Sequence, residues 1–223
     1  MSFYRRIKYF LVHTLKHTNK DAQSLIETGA VQINGLTVFE NCLLDDEDEI
    51  LLNGKKVRNK KEFVYILFNK PVGFESTLNK NIEKNISNFF AGINDLVIAG
   101  RLDKQSQGLM LLSNNGKWVE HLCNPKFEKE KEYLVTLDKP TNDLFLEKFR
   151  KGVEIDNYLT KPCFCEKTNS ENTIRVILTE GKNRQIRKMC LVLGYKIIIL
   201  KRVRIDQFLL EDLPEGKFKF TKI

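Results

Sequence analysis

The chain lacks any apolar run near the roughly 18–20 residues that cross a bilayer, which argues against a membrane-spanning helix. Its first residues, Met1–Arg6, lack the apolar stretch and small-residue cleavage site of a signal peptide. Cysteine is scarce, with five in an odd count and no Cys-x-x-Cys pair, so reduced thiols are expected. These absences together predict a cytoplasmic protein.

Metal-ligating patterns are also missing. His13 and His17 have helical i, i+4 spacing, but no carboxylate or cysteine nearby completes a site. Cys163-x-Cys165 is too tightly spaced and isolated for zinc, and the acidic run 45–49 lacks the alternating ligands and glycine of an EF-hand loop. We therefore predict no metal site.

The composition of the chain is typical of a globular protein, and positive charges outnumber negative ones. Its 223 residues, 42% hydrophobic with 15 Phe, suffice for one or two packed domains. The net charge is +8, and residues 181–205 include eight basic and no acidic side chains. Because solvated faces usually mix charges of both signs, this stretch predicts a phosphate-facing surface. The eight are Lys182, Arg184, Arg187, Lys188, Lys196, Lys201, Arg202 and Arg204.

The first 58 residues are predicted to form a small domain. Apolar spacing predicts helices over 5–16 and 19–28, the second capped by Asn19 and ended by Gly29. Strands are predicted at 30–33, 36–38 and 49–52, with Asn-Gly turns after the first and third. Residues 58–62 are polar and charged, which predicts a linker at 59–63 and makes 64–223 a second domain.

The second domain shows strand and helix patterns without regular βαβ alternation, which predicts an α+β fold with a mixed, largely antiparallel sheet. Strands are predicted at 63–69, 96–99, 109–113, 132–137, 173–179 and 195–200. Helices are predicted at 80–91, 117–123, 142–151 and 184–193.

One carboxylate stands out within this domain. Asp103 lies between two apolar runs, 96–99 and 109–112, that are built for burial. Because an unpaired buried carboxylate is costly, Asp103 needs a cationic partner, a chemical role, or both. On these residues alone, a salt bridge to Arg101 and an active-site carboxylate both remain open.

Four segments in this order resemble one family. They are Asn69–Gly73, Gly100–Leu109, Glu130–Val135 and Gly181–Met189. The set resembles the RsuA/RluB/E/F family of bacterial pseudouridine synthases, most closely its F-type members that act on 23S rRNA. Residues 26–35 resemble the S4 RNA-binding domain that precedes the catalytic domain in this family.

The resemblance implies that a uridine in RNA is isomerised, with a monomer as the expected state. The N-glycosidic bond breaks and a C–C bond forms to the same ribose, so the reaction balances without redox chemistry or hydrolysis and needs no cofactor. The matching positions make Asp103 the catalytic carboxylate and Arg187 the cation that keeps it charged. Tyr133 is the residue expected to pack on the base and to move a proton.

RNA contacts are assigned by the same resemblance. Arg101 is expected to hold the flipped nucleotide out of its stack. Lys70 either contacts phosphate or braces the segment that carries Asp103, and both interpretations remain open. The remaining RNA-binding candidates are Lys182, Arg184, Lys188, Arg6 and Lys20.

Two departures from the family pattern affect RNA contacts. Only Lys20 provides a cation at the start of the second helix, where a basic cluster is usual. Glu75 stands where an apolar or small residue is usual, and it would repel phosphate unless it turns away or pairs with a cation.

Other substrates and other functions are also compatible with parts of this pattern. A tyrosine tRNA anticodon is a secondary substrate of F-type members, so 23S rRNA and tRNA are both candidate partners. A non-catalytic RNA-binding or ribosome-assembly factor would have little need to keep Asp103, Tyr133 and Arg187 together. A glycosidase-like hydrolase fits less well, because such enzymes use a spaced pair of carboxylates.

Overall fold

A computed structural model describes residues 5–223. Met1 to Tyr4, part of the segment that lacks signal-peptide features, lie outside the described residues. Within 5–223, no helix has both the length and the apolar character needed to cross a membrane. The chain divides into two compact units between Phe63 and Val64.

Within residues 5–63, the first unit has two helices followed by four short strands. Their bounds are α1 (Ile7–His13), α2 (Asn19–Glu27), β1 (Val31–Ile33), β2 (Leu36–Val38), β3 (Ile50–Leu52) and β4 (Lys55–Arg58). The strands form one antiparallel sheet in the order β2-β1-β3-β4. Ile7, Leu11 and Ile26 are fully buried and pack both helices against this sheet.

Two details of the helices differ from the sequence predictions. Thr18, not Asn19, is the N-cap of α2, because its Oγ accepts a hydrogen bond from the Asp21 N–H at 3.1 Å. Both residue types cap helices, so the pattern alone did not decide between neighbours. The first helix ends at His13 and does not reach Lys16, whose φ of 63° is left-handed.

Both Asn-Gly turns form as predicted. Asn34, Gly35, Asn53 and Gly54 all have positive φ, as a two-residue turn of this kind requires. The second turn leads into β4, which was not predicted. This strand lies at the sheet edge, where polar and charged side chains face solvent and obscure the apolar alternation.

The second unit carries eleven further strands and three helices. The strands are β5 (Tyr65–Lys70), β6 (Val97–Ala99), β7 (Gln107–Ser113), β8 (Lys131–Leu137), β9 (Glu154–Ile155), β10 (Tyr158–Leu159), β11 (Phe164–Lys167), β12 (Thr173–Leu178), β13 (Ile197–Ile205), β14 (Phe208–Leu209) and β15 (Phe218–Thr221). The helices are α3 (Gly116–Cys123), α4 (Asp143–Lys151) and α5 (Gln185–Val192).

Nine of these strands form one sheet, and β9 and β10 form a separate hairpin. Seven strands follow the order β11-β12-β8-β13-β7-β5-β15, while β14 pairs with β13 and β6 pairs with β7. All pairings in this sheet are antiparallel except that of β13 with β7. The predicted α+β class with a mixed, largely antiparallel sheet is confirmed.

The helix predicted over 80–91 is wrong. Only Ser87–Phe90 forms a short 3₁₀ helix there. Asn79 and Asn85 accept backbone hydrogen bonds through their own side chains, from the N–H groups of Asn81 and Ser87. Such local bonds compete with helical ones and favour turns, which explains the failed prediction.

The central strands are covered on both faces. Along β5, Ile66 and Phe68 pack into one apolar cluster, and Leu67 packs into another on the opposite side with α3. Strands buried on both faces have near-continuous apolar sequences, which is the pattern seen before and after Asp103. The loop between β6 and β7 emerges from this core.

Candidate functional site

Asp103 lies in the loop between β6 and β7, which we name the Asp103 loop (residues 100–106). Of the two flanking strands, β7 is buried as predicted, whereas β6 is only partly buried, with Val97 46% exposed. The Asp103 side chain is 31% exposed. The loop carries the acid away from the apolar layers. The Asp103 carboxylate is therefore only partly buried and remains accessible to a bound molecule.

Every backbone carbonyl of the Asp103 loop accepts a hydrogen bond. Three charged side chains donate to four of these carbonyls: Arg202 to Gly100 (2.8 Å) and Arg101 (3.5 Å), Arg187 to Gln105 (2.8 Å), and Lys70 to Ser106 (2.8 Å). The Ser76 hydroxyl donates to the Leu102 carbonyl at 2.6 Å. Backbone N–H groups donate to the other two, from Ser106 to Asp103 (3.0 Å) and from Gly73 to Lys104 (2.8 Å). A loop with no free carbonyl has few alternative conformations. This network therefore pre-organises the position of Asp103.

Lys70 is fully buried at the end of β5. Its ammonium donates to the carbonyls of Ser106 at 2.8 Å and Pro71 at 2.9 Å, with a longer contact to Lys104 at 3.5 Å. Burial lowers the pKa of Lys70 to about 8, an effect that the charge of Asp103 opposes. The assignment of Lys70 as an RNA-binding residue does not fit this position, because its donors already serve backbone carbonyls; the bracing interpretation does.

Arg187 provides the cation beside Asp103. Its Nε lies 3.9 Å from the Asp103 Oδ2, and its Nη2 donates to the Gln105 carbonyl and, at 3.1 Å, to the Ser106 hydroxyl. Burial lowers the pKa of Arg187, as does Arg184, while Asp103 opposes the shift. Helix α5, whose buried side includes Ile186, Met189 and Cys190, holds this guanidinium in place.

Arg101 does not make the salt bridge that was one of the two open interpretations. Its side chain is exposed, and among residues 5–223 it has no carboxylate within 4 Å. Its backbone carbonyl instead takes part in the loop network. The side chain is thus free to contact a bound molecule.

Sequence reasoning missed two positioning residues, Arg202 and Ser76. Arg202 is 1% exposed, and besides the loop it binds the Leu109 carbonyl at 2.7 Å. Ser76 both donates to and accepts from Leu102. A signal for Arg202 existed, because it follows buried Leu200 by two positions on β13 and so shares its inward face.

The Asp103 loop opens into a cavity of about 870 Å³. Tyr133, on β8 opposite Arg202 of β13, lines this cavity together with Asp103. Arg101, Lys182 and Arg184 line it too. The volume lies within the range of ligand pockets, and its walls combine a carboxylate, an aromatic ring and cations.

Known proteins with similar sequences identify the family that carries this site. Residues 64–191 match the family model described as RNA pseudouridylate synthase. The chain belongs to the RNA pseudouridine synthase family. It is 37% identical to the dual-specificity RNA pseudouridine synthase RluF of Salmonella typhi over 91% of this chain and 70% of that protein.

Two further relatives cover almost the whole synthase. The ribosomal large subunit pseudouridine synthase B of Bacillus subtilis is 31% identical over 95% of this chain and 89% of that protein. A crystal structure of a pseudouridylate synthase superposes with a TM-score of 0.69 at 30% identity, covering 97% of this chain and 96% of that one. The predicted family and the enzyme class are confirmed.

The all-basic stretch 181–205 of the synthase is not a uniform phosphate-facing surface. Arg202 is buried, and Arg204 pairs with Glu130 and Glu132, each at 2.8 Å. Lys188, a predicted RNA contact, forms an ion pair with Asp156 of the β9–β10 hairpin. Acidic partners from elsewhere in the chain neutralise these cations, which a local charge count does not reveal.

Lys182 and Arg184 remain exposed at the cavity. The Lys182 ammonium lies 4.3 Å from the centre of the Tyr158 ring, and Arg184 precedes α5 with a left-handed φ of 50°. Glu75, the departure from the family pattern, approaches Lys104 at 3.7 Å. That cation offsets the repulsion Glu75 would exert on phosphate.

Arg6 and Lys20 belong to the first unit. The Arg6 guanidinium donates to the Asn41 carbonyl at 2.5 Å, so part of its donor capacity serves the fold. Lys20 is exposed on the first turn of α2. For metals, residues 5–223 contain no group of three His, Cys, Asp or Glu side chains placed to hold an ion.

Proposed function

We propose that this synthase isomerises a specific uridine of 23S rRNA to pseudouridine and that Asp103 is the catalytic carboxylate. The observation that carries the proposal is the geometry of Asp103: a carboxylate on a fully hydrogen-bonded loop, with the Arg187 Nε at 3.9 Å, at the edge of a cavity that Tyr133 also lines. The names of the relatives support the ribosomal substrate, since one is a large-subunit synthase.

The proposed reaction begins with the C1′–N1 bond of the bound uridine. Asp103 attacks C1′, or stabilises positive charge there, while uracil leaves with the bonding electron pair. The uracil then turns, and its C5 bonds to C1′. Where Asp103 has bonded to C1′, that bond breaks in the same step and its electron pair returns to the carboxylate. The proton lost from C5 is balanced by protonation at N1. Atoms and charge balance within one nucleotide, so no second substrate is consumed.

We propose roles for the other side chains that their positions support. The Arg187 guanidinium attracts the Asp103 carboxylate, the group that attacks C1′. Tyr133 stacks on the uracil and moves the proton. Exposed Arg101 holds the flipped nucleotide, while Lys182 and Arg184 bind backbone phosphates.

The first unit is proposed as an S4-like RNA-binding domain, comprising residues 1–58 with a linker at 59–63. Its two helices and small sheet support this assignment, and Arg6 and Lys20 are its proposed RNA contacts. Because one chain supplies every residue of the Asp103 loop network, we propose that a monomer in the cytoplasm, where its substrate is made, is the active form.

A second substrate, the anticodon region of tyrosine tRNA, is proposed because a relative carries the description dual-specificity. Comparing pseudouridine maps of rRNA and tRNA from cells with and without the gene separates these substrates. The site that disappears identifies the target. An unchanged map would contradict the proposed activity.

The catalytic assignment is tested with Asp103→Asn. This variant should form no pseudouridine in unmodified, in vitro transcribed 23S rRNA, while its affinity for that RNA stays within a few fold of wild type, because the amide keeps the shape of the side chain. Asp212→Asn is the matched control, since Asp212 is exposed and does not line the cavity. Conversion by Asp103→Asn would refute the role of Asp103, and a bound but unmodified RNA with wild type would favour a non-catalytic RNA-binding factor.

A further inference from the structure

Lys131 is a cavity residue that neither the loop network nor the roles above use. It begins β8, two positions before Tyr133. Alternate residues of a strand share a face and lie ~6.6 Å apart, so both side chains project from the same side of β8. Both line the cavity, as expected from that arrangement.

The Lys131 ammonium has donor capacity that the protein leaves unused. Its Nζ donates to the Lys129 carbonyl at 2.8 Å. Across the described part of the chain, no carboxylate lies within 4 Å of it, whereas Lys104, Lys129 and Lys161, which also line the cavity, each have one. An ammonium carries three N–H groups, so two are available to a bound molecule.

The electrostatic surroundings of Lys131 favour an anion. Burial lowers the pKa of Lys131, and the charge of Arg202 lowers it further, against smaller opposing effects of Cys123 and Asp206. The Asp206 carboxylate is itself paired with Lys129 at 2.7 Å. Two partly desolvated cations near one wall of the cavity gain most from an anionic ligand, and the anionic groups of RNA are its phosphates.

We propose that Lys131 binds a phosphate oxygen of the uridine nucleotide whose base stacks on Tyr133. The proposal rests on the proposed function, since it places the target nucleotide in this cavity. A phosphate contact is present both before and during bond cleavage. It therefore contributes to substrate binding equally in the ground and transition states.

The test compares Lys131→Met, Lys131→Arg and Lys126→Met. The first removes the charge, the second keeps it, and the third removes the same charge from an exposed lysine outside the cavity. Binding to in vitro transcribed 23S rRNA is measured against salt concentration in the Asp103→Asn background, and turnover is measured in the active enzyme. Thermal unfolding of each variant reports on the fold.

Lys131→Met should raise KM about tenfold with kcat within twofold, the pattern of lost uniform binding. Its slope of log affinity against log salt should fall by about 0.7, the value for one phosphate contact with a single strand. Lys131→Arg should stay near wild type, as should Lys126→Met. The unfolding temperature of Lys131→Met should not fall, because the variant removes a desolvated charge.

A neutral methylphosphonate on either side of the converted uridine, within a stem-loop oligonucleotide, locates the contact. At one of the two positions it should abolish the difference between wild type and Lys131→Met. An unchanged affinity and salt slope in Lys131→Met would overturn the proposal, as would a fall in kcat at constant KM. Activity of Asp103→Asn would refute the proposed function instead, while the binding data would still test Lys131.

Discussion

Replacing Lys70 with methionine removes the ammonium that holds the Asp103 loop and keeps the length of the buried side chain. Two short hydrogen bonds, to the Ser106 and Pro71 carbonyls, disappear. The Lys104 carbonyl keeps its bond from the Gly73 N–H. The substitution therefore removes hydrogen bonds only from the Ser106 carbonyl, at the end of the loop, and from the Pro71 carbonyl, next to Lys70.

The expected change in stability is small because two effects oppose each other. The buried Ser106 carbonyl and the part-buried Pro71 carbonyl, left without a donor, cost about 1–3 kcal/mol each. Against this, burial lowers the pKa of Lys70 from 10.5 to about 8, which corresponds to about 3 kcal/mol held against the charged form. The net change in the free energy of unfolding should lie within about 2–3 kcal/mol.

The rate of pseudouridine formation should fall strongly even though the free energy of unfolding changes little. If the freed carbonyls let the loop shift by about 1 Å, the misplaced carboxylate loses roughly a hundredfold in rate. Single-turnover pseudouridine formation measures the chemical step, and thermal unfolding measures the fold. Lys126→Met is the control, since Lys126 is an exposed lysine outside the cavity.

Alkaline titration gives an independent check on Lys70. Between pH 8 and 10.5 the unfolded chain binds the Lys70 proton and the folded chain does not, so the unfolded state holds more protons. The stability of wild type relative to Lys70→Met should therefore rise with pH over this range. A rate within threefold of wild type in a folded Lys70→Met, or a relative stability that falls with pH, would refute the bracing role.

Two further predictions concern packing and thiol chemistry. Gly108→Ala should lower the free energy of unfolding by about 3 kcal/mol and the unfolding temperature by roughly 6–12 °C. The reason is that Gly108 has a φ of 105° and that a Cβ there would lie 2.2 Å from the Arg202 carbonyl oxygen. An unchanged unfolding temperature would contradict the close approach of β7 and β13. Burial raises the pKa of both Cys165 and Cys190 to about 12, so at pH 8 iodoacetamide should alkylate exposed Cys123 well before either. Peptide mass spectrometry of the folded protein measures this order, and equal labelling rates would show that the two thiols are not buried.

Local interactions explain both the correct and the wrong predictions of short elements. Asn34-Gly35 and Asn53-Gly54 were predicted correctly because a turn is determined by the residues that form it. The helix over 80–91 failed for a local reason too, since asparagine side chains replace helical bonds. Edge strands such as β4 and β15 were missed because one side faces solvent and the apolar alternation is lost.

In the candidate site, sequence motifs identified some residues, whereas the role of Arg202 depends on distant parts of the chain. Four sequence segments indicated Asp103, Tyr133 and Arg187, and the structure places Arg187 beside Asp103 and Tyr133 on the wall of the same cavity. Charge counting did not separate Arg202, which is buried, from the partly exposed Lys201 and Arg204 on the same strand. Its role depends on carbonyls about a hundred positions earlier in the chain.

By itself, the sequence determined the family, the α+β class and the residue types available for chemistry, because these depend on ordered motifs and on local periodicity. Only the tertiary structure decided what each cation does. Lys70, Arg187 and Arg202 hold one loop, Arg204 and Lys188 are neutralised by carboxylates, and Lys131 retains free donors. The reason is physical: the function of a charge depends on its burial and on the partners within a few ångströms, and folding brings those partners from distant parts of the chain.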